Sequence, residues 1–191
     1  MKTIGLIGGT SFESTITYYD VINKTVNQAL GGHHSAKCIL YSVDFHDIES
    51  NVMSGQWDNI ADILIEAAVT LEKAGVDFIV VCTNTLHKLV PDVLKHIHIP
   101  VLHLAEITAE ELIDNNIQKV GLLGTKPTMV LDFYKDKLTE RGSEIVVPSP
   151  ADIEAVDRII FDELCHGVTK AESKQTYLNI IEALHEQGAQ G

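Results

Sequence analysis

The sequence is poor in cysteine. Its 191 residues contain three, Cys38, Cys82 and Cys165, and no two of them form a Cys-x-x-Cys pair. A disulfide scaffold needs several paired cysteines, so this small number argues for a reducing compartment instead. We therefore expect a cytoplasmic protein without structural disulfides.

The sequence also has few basic residues and no long apolar run. Lysine and arginine number 14 against 27 aspartate and glutamate residues, which gives a formal net charge of −13. Such a charge repels phosphate backbones, so we expect no nucleic-acid partner. No apolar run approaches a membrane span of about 20 residues, and residues 2–7 predict a strand where a signal peptide would stand. We expect no membrane partner.

One stretch organises the rest of the chain. The residues Phe78-Ile79-Val80-Val81 predict a buried strand, and Cys82-Thr83-Asn84-Thr85 follows at its carboxyl end, where open α/β sheets bind ligands. A helix is expected next; its first N–H groups can hold a carboxylate, and its dipole favours a thiolate over a thiol. Packing alone explains a cysteine after an apolar run, but it does not explain the polar residues that follow. Cys82 is therefore our candidate catalytic residue.

Strands and helices alternate along the chain, which is typical of an α/β fold with parallel sheets. The pattern begins again near Pro100, so we predict an N-terminal α/β domain over residues 1–100 and a similar second domain over 101–191. In the first domain we expect a loop over residues 44–56 and a helix over 58–74. We also expect an earlier helix from about Ser14, with Ile16, Tyr19, Ile22 and Val26 on one face.

The two halves share a sequence pattern. The segment Ile4-Gly5-Leu6-Ile7-Gly8-Gly9-Thr10 matches Val120-Gly121-Leu122-Leu123-Gly124-Thr125. A duplication of this kind calls for a second strand with a counterpart of Cys82. Because the spacing places that counterpart after Gly191, we expect the chain to end inside its second half.

Five motifs, in order, resemble the aspartate/glutamate racemase family, most closely its amino-acid racemases of aspartate-racemase type. They are Gly8-Gly9-Thr10-Ser11-Phe12-Glu13-Ser14-Thr15, Ser42-Val43-Asp44-Phe45, Cys82-Thr83-Asn84-Thr85-x-His87-Lys88, Leu123-Gly124-Thr125-Lys126-x-Thr128-Met129 and Phe161-Asp162-Glu163-Leu164-Cys165-x-Gly167. The resemblance implies two α/β domains related by a pseudo-two-fold axis, here with the second incomplete. It also implies an active site between them, a homodimer, and catalysis without pyridoxal phosphate or another cofactor.

The resemblance further implies the chemistry. In this family two cysteines face each other across an amino acid; a thiolate removes the α-proton and a thiol returns one to the opposite face. By motif Cys82 is the first cysteine, and the implied substrate-binding residues are Gly9, Thr10, Thr83, Asn84, Thr85 and Thr125. The second cysteine belongs to a Gly-Cys-Thr-Glu segment that these residues lack, and we expect Cys38 and Cys165 to have packing roles. We therefore expect racemisation by this chain to be impaired.

Other interpretations stay open. A single-cysteine decarboxylase or isomerase of a dicarboxylate fits the same residues, and so does a non-catalytic product that binds a small carboxylate. Residues 44–56 hold no arginine for a side-chain carboxylate, so the substrate amino acid is not determined. We expect no metal site, because the pairs His33-His34 and His96-x-His98 lack a third suitably spaced ligand. Lys88 and Lys126 lie near the predicted site, where either could attract a carboxylate, although a solvated surface lysine is the default expectation.

Overall fold

Four short apolar segments form a parallel sheet in the first half of the chain. The structure, a computed structural model, describes all residues of Met1–Gly191 and separates into unit 1, Met1–His103, and unit 2, Leu104–Gly191. The strands of unit 1 have the order β2-β1-β3-β4, and every neighbouring pair is parallel. They are β1 (Thr3–Gly8), β2 (Lys37–Ser42), β3 (Phe78–Val81) and β4 (Val101–Leu102). The expected α/β fold with a parallel sheet is confirmed.

Helices connect these strands. They are α1 (Phe12–Leu30), α2 (Phe45–Ser54), α3 (Trp57–Lys73) and α4 (Val90–Val93), and a 3₁₀ turn at Thr85–Leu89 precedes α4. The helix predicted over residues 58–74 corresponds to α3. Helix α3 is followed by Gly75, whose φ of 83° only glycine adopts readily and whose N–H donates to the Glu72 carbonyl.

The core of unit 1 lies between α3 and one face of the sheet. Helix α3 places apolar residues at a spacing of three to four, so that they form one stripe. That stripe meets the alternate sheet residues Ile7, Ile79 and Val81, which are at most 2% exposed. The buried residues of α3 are Ile60, Leu64, Ala67, Ala68 and Leu71. Each large side chain buried here contributes about 1.5–3 kcal/mol to stability. This packing holds the strands, and therefore their carboxyl ends, in a fixed position.

The helix expected from about Ser14 is α1, but its apolar face is not packed into the core. Thr15 is the only buried residue of α1, while Ile16 is 57% and Tyr19 is 51% exposed. The apolar spacing correctly indicates a helix, but the helix meets the sheet at its first turn, where Thr15 packs on Gly8. Ile16 and Tyr19 of this stripe therefore lie on the surface of the chain, whereas Ile22 and Val26 are half-buried.

The prediction of a loop over residues 44–56 was wrong, because α2 occupies most of that range. The Asp44 side chain accepts a hydrogen bond from the His46 N–H at 3.0 Å and so caps the helix start. Ile48 is 2% exposed and anchors the helix to the core, and Gly55 ends it in the left-handed conformation. The segment is polar overall and therefore did not indicate a helix, because α2 buries only one side.

The division between the two units falls at residues 103 and 104, whereas the sequence placed it at 100 and 101. The reason is β4, which was assigned to the second domain but pairs with β3 through Ile79 and Val101. The Ile79 N–H also donates to the Pro100 carbonyl at 2.9 Å. This short strand completes the sheet of unit 1 and brings His103 to its edge.

Unit 2 contains a parallel strand pair and five helices. The strands are β5 (Lys119–Gly121) and β6 (Glu144–Val146). The helices are α5 (Leu104–Asp114), α6 (Lys126–Val130), α7 (Asp132–Thr139), α8 (Pro150–Asp162) and α9 (Ala171–Glu186). No helix of either unit combines the length and the apolar composition that a membrane span requires. The pseudo-two-fold relation stays a prediction.

Candidate active site

The order of the strands creates a crevice between β1 and β3. From β1 the chain passes to β2 on one side and then returns to β3 on the other. At such a reversal the connections leave in opposite directions, and ligands bind at the carboxyl ends of the two central strands. Here these ends carry Gly9-Thr10-Ser11 and Cys82-Thr83-Asn84. Two segments that the sequence predicted separately thus meet at one place in unit 1.

The hydrogen bonds between β1 and β3 stop at Cys82. The Cys82 N–H donates to the Ile7 carbonyl at 2.9 Å, and in a continuing parallel ladder the Gly9 N–H would donate to the Cys82 carbonyl. Instead the Gly9 N–H donates to Thr15 Oγ1 at 2.8 Å, and Ser14 Oγ donates to the Cys82 carbonyl at 3.0 Å. Two hydroxyls from the first turn of α1 therefore replace the next rung of the ladder.

Beyond that rung, two consecutive backbone donors have no acceptor within the chain. They are the N–H groups of Thr83 and Asn84. Thr83 is half-buried and Asn84 is exposed, and the Asn84 side chain caps nothing. Thr85, the third predicted contact, is buried at the start of the 3₁₀ turn. The two free N–H groups directly follow Cys82 and are suited to an oxyanion or a carboxylate.

Cys82 itself is fully buried. Burial raises the pKa of its thiol to about 12, because a thiolate loses its hydration there. The expected thiolate is not supported, because burial favours the thiol. The segment after Asn84 is the 3₁₀ turn Thr85–Leu89, which continues into the four-residue α4 instead of the long helix expected. In the ligand-free protein Cys82 is therefore a thiol at neutral pH.

The loop after β1 is held in place by glycine. Gly9 has a φ of 87°, and a Cβ added there would lie 2.2 Å from the Val43 carbonyl oxygen. Its N–H already donates to Thr15, so it has no free N–H for a substrate. Thr10 differs, because its hydroxyl is buried and has no hydrogen-bond partner. A buried hydroxyl without a partner is costly, and Thr10 thus offers an unused polar group shortly after the carboxyl end of β1.

His87 lies directly behind the Thr83–Asn84 segment. Its ring is 1% exposed, and its Nδ1 lies 2.7 Å from the Thr83 carbonyl oxygen. The ring also meets His103 edge to face, with the centroids 4.7 Å apart. Burial, followed by the charge of His103, lowers the pKa of His87 to about 4. The ring is therefore neutral at physiological pH.

Thr125, the predicted contact in the second half, precedes α6 in unit 2. Its Oγ1 lies 3.1 Å from the hydroxyl of the buried Thr128. The two nearby lysines of the motifs are engaged elsewhere. Lys126 forms an ion pair with Glu154, and the Lys88 ammonium lies 4.1 Å from the centre of the Trp57 ring.

The remaining cysteines are separated from this crevice or lie in unit 2. Cys38 pairs with Ile4 at the amino end of its strand, four positions before Ser42. Since a strand rises about 3.3 Å per residue, Cys38 lies roughly 13 Å from the carboxyl edge. Cys165 is half-buried in the 3₁₀ turn Leu164–His166. No group of three or more His, Cys, Asp or Glu side chains is arranged to hold a metal ion.

Comparison with known proteins shows which family has a sequence like this one. The family model of the Asp/Glu/hydantoin racemases matches residues 7–191. The chain belongs to the Asp/Glu/hydantoin racemase family. In this racemase-family chain, the matched region includes both segments of the crevice and the whole of unit 2.

Individual relatives agree with that assignment. The chain is 36% identical over 89 residues to the broad specificity amino-acid racemase RacX of Bacillus subtilis (strain 168), a match that covers 47% of this chain and 39% of RacX. The chain thus matches less than half the length of this relative. A crystal structure of an Asp/Glu racemase candidate from Yersinia pestis is similar with a TM-score of 0.90 and 49% identity, over 100% of this chain and 84% of that one. An aspartate racemase homologue from Pyrococcus horikoshii OT3 gives a TM-score of 0.83 and 37% identity, over 100% and 83%.

Three residues of the racemase-family crevice had no assigned role in the sequence analysis. Ser14 and Thr15 belong to the first motif, and His87 belongs to the motif of Cys82. Ser14 bonds to the distant Cys82, whereas Thr15 and His87 bond to backbone groups within a few residues of themselves. The only sequence signal was the presence of hydroxyl and imidazole side chains shortly after two predicted strand ends.

Proposed function

We propose that this chain acts on the α-carbon of an amino acid and transfers its proton through Cys82, as part of a racemase without pyridoxal phosphate. The observation that supports this most strongly is the pair of free N–H groups, on Thr83 and Asn84, directly after a buried thiol. A thiol needs such neighbours for this reaction, because the carbanion must be stabilised where its charge develops.

The proposed step balances as follows. The Cys82 thiolate takes the α-proton and becomes a thiol, and the electron pair of the C–H bond stays on the substrate. That pair delocalises into the α-carboxylate, where the N–H groups of Thr83 and Asn84 donate hydrogen bonds to the oxygen that gains charge. The thiolate must first form from a thiol with a pKa of about 12, which gives its proton to solvent. A bound substrate ammonium would favour that ionisation by its opposite charge.

The return of a proton to the opposite face needs a second donor. In the family the resemblance assigns this to a cysteine in a Gly-Cys-Thr-Glu segment, which residues 1–191 do not contain. Cys38 is at the wrong end of its strand for this role. The proposal therefore concerns α-proton transfer by Cys82, and exchange with solvent is the reaction that isolates it.

We propose that the preferred substrate has no side-chain carboxylate. Unit 1 contains no arginine, and the Lys88 ammonium lies over the Trp57 ring. Helix α2, which follows β2, carries Asp47 and Glu49 instead. An amino acid with a neutral side chain meets less repulsion at this edge than aspartate or glutamate.

The experiment follows α-proton exchange in deuterated water by proton NMR, for a panel of neutral and acidic amino acids. We expect exchange with at least one neutral amino acid, and Cys82→Ser should abolish it while the circular dichroism spectrum is unchanged. Asn84→Ala should lower kcat/KM by about 10- to 100-fold, the result of about 1–3 kcal/mol of lost hydrogen bonding. Exchange at the original rate in Cys82→Ser would contradict the proposal.

The resemblance also implies a homodimer, and we propose one that uses the exposed face of α1. Phe12, Ile16 and Tyr19 lie on this face, and each is more than half exposed. Light scattering should give twice the 21.0 kDa chain mass, and Ile16→Lys should shift it toward the monomer. A monomeric parent chain would contradict this part of the proposal.

A further inference from the structure

We propose that His87 is a positioning residue, which fixes the Thr83–Asn84 peptide so that the Asn84 N–H is presented to a carboxylate in the crevice. This deepens the proposed function and rests on it for the identity of the ligand. His87 itself touches no substrate in this proposal. It acts through the backbone of the segment that follows Cys82.

The tautomer of His87 follows from its partner. The Thr83 carbonyl oxygen can only accept a hydrogen bond, so Nδ1, at 2.7 Å from it, carries the proton of the neutral ring. In a planar trans peptide the C=O and N–H bonds point in opposite directions. When His87 holds the Thr83 carbonyl toward itself, the Asn84 N–H of the same peptide points away from His87. This N–H has no acceptor within the chain.

The other ring nitrogen shows why packing alone does not account for a histidine here. Nε2 of His87 is buried and makes no hydrogen bond of acceptable geometry, although the Leu102 backbone lies near enough to the ring to favour its protonated form. A buried acceptor without a partner costs stability, and a leucine would fill similar space without that cost. The histidine is therefore explained by the donor on Nδ1 and by what that donor holds.

The ring is also fixed from its far side. His103 follows β4 directly, and β4 is hydrogen-bonded to β3 through Val80 and Leu102. The two rings meet at an interplanar angle of 70°. The ends of two adjacent strands thus fix the position of His87. His87 in turn fixes the orientation of the Thr83–Asn84 peptide, which follows Cys82. A continuous series of contacts therefore connects β4 with the Asn84 N–H.

The test uses three substitutions that differ in the placement of one N–H group. The amide nitrogen of asparagine coincides with Nδ1 of histidine, and that of glutamine coincides with Nε2. His87→Asn therefore keeps the donor to Thr83, while His87→Gln and His87→Leu lose it. We expect kcat for α-proton exchange to fall on the order of 100-fold in the last two, as for a displaced catalytic geometry. His87→Asn should keep kcat within about 10-fold of the parent chain.

A purely structural role predicts a different pattern. In that case activity would follow stability, and Asn and Gln, which both bury an amide, would lose similar amounts. Equal loss of kcat in His87→Asn and His87→Gln would therefore overturn the proposal. A fall in activity that matches the folded fraction in every variant would overturn it as well.

A measurement on the unsubstituted chain makes the inference independent of folding defects and of the reaction. Nitrogen-15 NMR of the imidazoles should show His87 neutral with the proton on Nδ1, and titration with acetate should shift the amide signal of Asn84. A proton on Nε2, or an Asn84 amide that acetate leaves unchanged, would overturn the positioning role. If these signals behave as expected but no amino acid exchanges its α-proton, the proposed reaction fails while the positioning of a carboxylate-binding N–H stands.

Discussion

The loop that carries Gly9 offers the sharpest test of how the crevice is built. A methyl group at position 9 would lie 2.2 Å from the Val43 carbonyl oxygen and 2.7 Å from its nitrogen. The neighbour is backbone and cannot rotate away. The Val43 N–H also donates to the Gly8 carbonyl at 3.0 Å, so a displacement of Val43 breaks that bond. Gly9→Ala therefore forces either the loop or the β2 end to move.

The expected cost has two parts. A φ of 87° is unfavourable for alanine by about 1–2 kcal/mol. The lost hydrogen bond and the displaced backbone add roughly 1–3 kcal/mol, the cost of leaving a buried polar group without a partner. Gly75 is the matched control, since its φ is 83° and nothing lies within 4 Å of an added Cβ. Gly75→Ala should show only the first part, so the two variants should differ by about 2 kcal/mol.

The assay is urea unfolding followed by tryptophan fluorescence. The chain has one tryptophan, Trp57 at the start of α3, so the signal reports unit 1, in which both glycines lie. This choice matters because two units need not unfold together. Equal unfolding free energies for Gly9→Ala and Gly75→Ala would refute the argument that contact with Val43 requires glycine at position 9.

Three further predictions concern single side chains. Iodoacetamide at pH 8 should alkylate Cys82 far more slowly than the half-buried Cys165, because burial raises the Cys82 pKa to about 12; peptide mass spectrometry measures both, and equal rates would contradict the buried thiol. The His87 pKa is lowered from 6.5 to about 4 by burial and by His103, so its neutral form contributes stability above pH 6.5 that is lost toward pH 4. At 1.36 kcal/mol per pH unit the loss is about 3 kcal/mol relative to His87→Leu, and parallel stability curves for the two chains would contradict it. Because the family resemblance implies that Thr125 contacts the substrate, we propose that Thr125→Ala weakens carboxylate binding by about 1–3 kcal/mol in calorimetry, whereas Thr125→Ser, which keeps the hydroxyl, does not.

Much of unit 1 could be predicted from local patterns. The run Phe78–Val81 indicated a buried strand, and the apolar spacing of residues 58–74 indicated α3, because both elements bury a continuous face. The position of Cys82 at a carboxyl strand end followed from the same pattern. These features depend on short segments whose burial can be predicted from their own residues.

The errors arose where distant contacts decide the outcome. Residues 45–54 form a helix because Asp44 caps it and Ile48 reaches the core, although the segment is polar overall. Helix α1 has an apolar stripe, yet only its first turn packs on the sheet. The thiol pKa depends on total burial, which no local motif encodes. Electrostatics and helix placement are properties of the assembled unit.

The two hydroxyls of Ser14 and Thr15 have a consequence for how the crevice arises. Parallel strands zip together because each carbonyl finds the next N–H, and the strands β1 and β3 would continue to do so past Cys82. The hydroxyls occupy the Cys82 carbonyl and the Gly9 N–H and act as a wedge between the strands. The separation of the two strand ends is thus part of the folded structure and needs no moving segment. In the function proposed above, a ligand carboxylate would take the place of the backbone acceptor that the strands lack here.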